Sequence, residues 1–353
     1  MTSSLVWSEV SLYSELYMSI RPPLGLQHPQ QAFSMDLQND GVSKPISVIA
    51  CISFALLYVV TLYAPTFLLR LPPPSSFTNF MIRRFLCALI STTLSLFITP
   101  FILPAQTRDL TYILGVYGIR VDRMWQALVL PLSLTSLLYA GSLLLKSLQL
   151  FDFWRQHGIF GGGLSFNSFK CAATSVIDWL SEISLNIMTW RNYIVGPLTE
   201  ELVFRACMIP ILLCGGFKPY NTMILCPIFF SLAHLNHFME IYTKHNYSIK
   251  KAAMVIGLQL GYTGVFGSYA SFLFIRTGHL AAPLVAHVYC NFMGLPVLYS
   301  QRSGIVSIAS IIGFLGFLWL LFPMTGPELY NDRIDNCSCW QGYCSWSERI
   351  RKS

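Results

Sequence analysis

Charge is what this chain has least of. Charged residues are 11% of its 353 residues, against about 25% in soluble domains. That scarcity excludes one water-soluble core under a conventional solvated surface. No run of Lys and Arg interleaved with aromatics occurs, which excludes nucleic acid as a partner. HExxH, the helical signature of many zinc proteases, is absent. The first 44 residues have no basic segment followed by an apolar one, so no cleavable signal peptide is expected. No internal repeat is visible.

Apolar residues are abundant, at 54%. The apolar runs begin near Pro45 with ISVIACISFALLYVVTLYAPTFLLR and recur to IVSIASIIGFLGFLWLLF. At about 20 residues per span, they predict an all-α polytopic membrane protein, a bundle of about eight transmembrane helices enclosing an intramembrane cavity. FLCALISTTLSLFITPFIL is the expected second span and QALVLPLSLTSLLYAGSLLL the third. Residues 1–44, rich in Ser, Gln and Pro, are expected to be a disordered extension. Residues 45–325 form the membrane domain, with its core at about 190–300, and 326–353 form a C-terminal tail. The first span would serve as an uncleaved signal anchor. Residues 168–190 read as an interfacial amphipathic helix. The Gly-rich run AAMVIGLQLGYTGVFGSYASFLFI permits close helix packing.

The formal net charge is +7, which suits basic loops meeting anionic lipid headgroups. Arg70, Arg83 and Arg84 favour a cytosolic first loop, whereas Arg108, Arg120 and Arg123 argue the opposite. Cys51, Cys87, Cys207, Cys214, Cys226 and Cys290 lie in apolar stretches, where they are expected as small buried hydrophobes. Cys337, Cys339 and Cys344 cluster without a nearby His, short of a four-ligand zinc site.

Against this background PLTEELVFRACMIP, residues 197–210, stands out. Each ionised side chain at mid-bilayer costs about 2.5–3.5 kcal/mol on insertion scales, yet Glu200, Glu201 and Arg205 fall within six residues. On a helix, Glu201 and Arg205 are four apart in the favourable order and can pair. Glu200 points about one hundred degrees away and keeps an unpaired carboxylate, the requirement for a general base. A buried ion pair fixing helix packing would explain Glu201 and Arg205, but not Glu200.

Two later runs add polar groups. FFSLAHLNH places His234 three residues before His237. AHVYCN places His287 and Asn291 four apart on one helix face. Together these groups could hydrolyse a bond: Glu200 and a His activate water, while a second His and an amide donate hydrogen bonds to the oxyanion. Three alternatives remain. Glu200, His234 and His287 could be a three-ligand zinc site. Cys207 or Cys290 could be a nucleophile, though neither has surroundings that favour a thiolate. Intramembrane carboxylates and His also serve transporters and proton relays.

TEELVFR, FSLAH and HVYCN, read as EExxxR, FxxxH and HxxxN, resemble the three signatures of the type II CAAX prenyl endopeptidases, a branch of the glutamate intramembrane proteases. LFIRTGHLAAPLVAH and NFMGLP resemble eukaryotic members, and the wider chain resembles plant ones. The motifs span residues 200–291, and looser similarity runs from about Pro45 to the CWQGYC tail. The resemblance implies a multi-pass enzyme of the endoplasmic reticulum membrane. It would remove the last three residues of farnesylated or geranylgeranylated CaaX proteins, such as small GTPases. It implies that Glu200 and His234 activate water, that His287 and Asn291 form an oxyanion hole, and that Glu201 and Arg205 support them without a metal or other cofactor. His237 would be a further supporting residue. A catalytically silent chaperone on the same fold would have lost one of these positions, and all are present.

Overall fold

The computed structural model describes residues 42–103, 110–156, 185–234, 249–297 and 304–330. Within them the chain is helical, with no strand. In chain order the helices are α1 (Lys44–Phe67), α2 (Phe77–Ile102), α3 (Leu110–Val116), α4 (Met124–Leu138) and α5 (Ala140–Gln156). α6 is a composite run of Ile187–Trp190, Arg191–Val195, Gly196–Glu201, Leu202–Cys207 and Met208–Cys214. Then come α7 (Pro219–His234), α8 (Ile249–Thr277), α9 (Ala281–Met293) and α10 (Gly304–Leu320).

Apolarity all round distinguishes these helices from those of a soluble domain. Ile49, Leu56 and Val60 on α1, and Leu86, Ile90 and Phe97 on α2, are exposed. So many outward aliphatic side chains are a surface for lipid rather than water. Among the described residues, α1 over Lys44–Thr66 and α2 are long and apolar enough to cross a membrane. A third crossing follows if α4 and α5 count together. The protein is an all-α membrane bundle.

The expected third span does not run straight. α4 and α5 are bent by 80°, with Tyr139 between them. The bend has partners: the Tyr139 hydroxyl donates to the Gly294 carbonyl at 2.7 Å, and the Val297 amide donates to Ser142 Oγ at 2.8 Å. α10 presses into the break. A Cβ on Gly141 would lie 1.9 Å from Ser310 Oγ, and one on Gly313 would lie 2.3 Å from the Leu137 carbonyl oxygen. Where lipid is as apolar as the side chains, such close backbone approach holds helices together.

The Gly-rich run in α8 permits close packing at one point. A Cβ on Gly267 would meet Pro227 of α7 at 3.0 Å, whereas Gly257, Gly261 and Gly264 have no such neighbour within 4 Å among the described residues. The core follows from sequence more directly. Cys51 and Phe54 of α1, Phe204 and Met208 of α6, Phe230 of α7 and Phe274 of α8 pack together. Cys51, Cys87, Cys207, Cys226 and Cys290 are buried, as expected, and Cys214 is partly so. The amphipathic helix expected over 168–190 lies largely outside the described residues, and the Cys337–Cys344 cluster lies wholly outside them.

Candidate active site

The site is built on α6, and α6 is not a regular helix. Two π-helical turns, Arg191–Val195 and Leu202–Cys207, flank the α-helical Gly196–Glu201. Each π-turn is followed within three residues by a proline, Pro197 and Pro210. A proline has no N–H to donate, and its ring crowds the carbonyl four residues back. Widening the preceding turn relieves both problems. Gly196 is required at the first junction, because a Cβ there would approach the Arg191 carbonyl oxygen to 2.6 Å.

The two neighbouring glutamates of the segment have different surroundings. Glu201 and Arg205 are fully buried, and Arg205 Nη1 donates to Glu201 Oε1 at 2.8 Å. The pair expected from their spacing is present. His287 of α9 joins it, with Nδ1 2.7 Å from the same Glu201 oxygen. Burying an ion pair costs several kcal/mol per ion unless hydrogen bonds and geometry offset it. Here one carboxylate oxygen serves two donors. The Arg205 guanidinium also lies over the rings of Phe230 and Phe266, at 5.0 and 6.0 Å. Those aromatic faces attract the cation, while Arg205 Nε and Nη2 have no hydrogen-bond partner among the described residues.

Glu200 instead faces a cavity of about 270 Å³, with 20% of its side chain accessible. Asn192, Tyr262, Phe266, His287 and Asn291 share the lining. His287 Nε2 lies 3.8 Å from Glu200 Oε2, beyond a direct hydrogen bond but suited to a shared water. With Nδ1 donating to the Glu201 carboxylate, Nε2 is the nitrogen presented to Glu200. The Phe266 ring, 4.8 Å away, holds the imidazole from one side. Asn291, one turn after His287, donates one amide hydrogen from Nδ2 to the Asn192 carbonyl at 2.8 Å. An amide NH2 carries two hydrogens, so the second remains for a ligand.

Glu200, Glu201, Arg205, His287 and Asn291, singled out from sequence, thus come together from α6 and α9. His234 is the last residue of α7; its side chain lies outside the described residues, and His237 lies outside them altogether. Sequence reasoning missed the contributions of Phe266, Asn192 and Thr199. Thr199 is buried beside Glu200, donates to the Val195 carbonyl at 2.7 Å and meets the Tyr58 hydroxyl at 3.0 Å. No periodicity could have found these pairings. The two prolines around the glutamates were the available signal that the helix is irregular there.

Residues 182–293 match the family model described as type II CAAX prenyl endopeptidase Rce1-like. The chain is 54% identical to CAAX prenyl protease 2 of Arabidopsis thaliana, over 89% of this chain and the whole length of that protein. It is 33% identical to CAAX prenyl protease 2 of Homo sapiens, over 86% of this chain and 88% of that one. No solved structure matches. Identity of this extent over most of the chain places it in the type II CAAX prenyl endopeptidase family.

Proposed function

We propose that this protein removes the C-terminal tripeptide from isoprenylated CaaX proteins by hydrolysis at Glu200. The observation that carries the reading is the division between adjacent carboxylates. Glu201 is sealed and spent on Arg205 and His287, while Glu200 opens onto the cavity that His287 and Asn291 line. The peptide-hydrolase class follows from the family. The roles follow from chemistry. Glu200 takes a proton from a water held against it, and His234 at the end of α7 orients that water. The hydroxide attacks the carbonyl of the prenylcysteine. The oxyanion receives hydrogen bonds from the second amide hydrogen of Asn291 and from His287 Nε2, which donates when the imidazole carries a proton on both nitrogens, with Nδ1–H held on the Glu201 carboxylate. As the C–N bond breaks, Glu200 returns its proton to the leaving amine, and no atom or charge is left over. Arg205 and Glu201 hold the imidazole in place.

Burial of this machinery among apolar helices has a chemical reason. The scissile bond adjoins a lipid anchored in the bilayer, so the water must be brought to it. We place the membrane domain at residues 45–325 with about eight crossings. Residues 1–44 and 326–353 are its extension and tail, and the endoplasmic reticulum membrane is its location. Farnesylated and geranylgeranylated proteins, small GTPases among them, are the substrates. His237 supports the site from beside His234.

The test is cleavage of a farnesylated CaaX peptide by the purified protein. The expected products are the free tripeptide and a peptide ending in farnesylcysteine. Failure to cleave, or cleavage at another bond, would remove the reading.

A further inference from the structure

A second, smaller cavity adjoins the first across α6. It measures about 100 Å³, and Arg191, Gly196 and Glu200 line both. The segment from Arg191 to Glu200 thus carries the edge that the two cavities share. The second void lies between that segment, α1 and α2, and its charged residues are Arg84, Arg191 and Glu200. Among the described residues neither guanidinium makes an ion pair or a hydrogen bond; Arg84 lies over the Phe80 ring at 5.5 Å. Two cations against one carboxylate leave the void with a single positive charge. Apart from Tyr58 and Thr199, its remaining wall is apolar, with Val59, Leu62 and Phe85. Such a cavity suits one anion attached to an aliphatic body.

We propose that this cavity binds the free C-terminal carboxylate of the substrate, with Arg84 and Arg191 as the recognising pair. The inference rests on the function proposed above, which requires a tripeptide leaving group with a free carboxylate. An extended tripeptide reaches about 10 Å. In this proposal the scissile carbonyl sits beside His287 and Asn291, the chain crosses the Gly196 and Glu200 edge that both cavities share, and its last residue enters the second. The side chain of that last residue then lies against Val59, Leu62 and Phe85. Guanidinium groups bind carboxylates by paired, charge-assisted hydrogen bonds. Fixing the chain end sets the distance to the bond that is cut, which gives a reason for removing three residues and no other number.

The experiment uses the full chain in vesicles of phosphatidylcholine alone, which supply no anionic headgroup. Two farnesylated CaaX peptides are compared, identical except that one ends in a carboxylate and the other in a carboxamide. The wild-type enzyme is expected to prefer the acid in kcat/KM by about ten- to a hundredfold, the range for hydrogen bonds to a charged group. In Arg84→Gln and in Arg191→Gln the acid-to-amide ratio falls toward one, mainly through KM for the acid. Equal wild-type use of both peptides overturns the inference and leaves the proposed function standing. So does a fall in the variants shared equally by both peptides. A rate that requires added anionic lipid, and is alike for both peptides, would assign the arginines to a headgroup and also overturns it. Cleavage of neither peptide by the wild type would instead remove the proposed function itself.

Discussion

α2 and the α6–α9 pair both bury polar side chains, and they satisfy them in opposite ways. On α2 the buried groups are hydroxyls. Ser91 and Thr92 donate to the Ala88 carbonyl, Ser95 to Ser91 and Thr99 to Ser95, all within one turn of the same helix. These bonds form wherever the helix forms and carry no information about the rest of the fold. On α6 and α9 the buried groups include charged and ionisable ones besides the Thr199 hydroxyl, and Glu201 meets His287 across 86 positions of sequence. That contact exists only when two helices are docked correctly. Local satisfaction of neutral groups is a cheap way to tolerate polarity in a membrane. Long-range satisfaction of charges is costly, and it is found beside the cavity that Glu200 faces.

Substitutions should separate the two regions sharply. Glu201→Ala should have the largest effect. It leaves Arg205 and His287 buried without their carboxylate, a loss of about 3–5 kcal/mol when one partner of a buried pair is removed. Thermal unfolding in detergent should shift markedly downward, and peptide cleavage should vanish. A variant as stable as the wild type would show that the network does not hold α6 to α9. Asn291→Ala should come next, lowering kcat about a hundred- to a thousandfold, the range for one oxyanion donor. KM should change little, because the donor acts mainly in the transition state; a pure KM effect would assign Asn291 to substrate binding. Ser95→Ala on α2 should be nearly silent. It removes one local bond worth about 1 kcal/mol, so its thermal shift should be small and its turnover normal. A large loss of turnover there would erase the contrast between the regions. Prolonged chelation should have no effect on the wild type, and metal analysis should find well under one zinc per chain. Stoichiometric zinc, with activity lost on stripping and restored on return, would make Glu200, His234 and His287 ligands.

Much of the site was legible because it is periodic. Spacing of four put Glu201 against Arg205 and placed His287 and Asn291 on one face, and both are observed. The link from Glu201 to His287 was not legible, because helical periodicity says nothing about which helix faces which. The bend at Tyr139 was hidden for a similar reason: it depends on Gly141 and Gly313 meeting α10 and α4. Composition also could not say which α8 glycines touch a neighbour. Gly267 does, while Gly257, Gly261 and Gly264 do not among the described residues. The all-apolar helices were plain from hydropathy alone, since a lipid-facing surface needs no pattern beyond its greasiness.

The central claim is that Glu200, alone of the two neighbouring glutamates, handles the attacking water. Turnover of a farnesylated CaaX peptide by purified Glu200→Ala, measured beside its thermal unfolding, tests it most directly. The carboxylate lost is the one open to the cavity; its contact with His287, at 3.8 Å, is looser than the 2.8 Å Glu201–Arg205 pair, which the substitution leaves intact. The account predicts an unfolding midpoint near that of the wild type and no detectable cleavage. Near-normal turnover in a folded Glu200→Ala protein would contradict it.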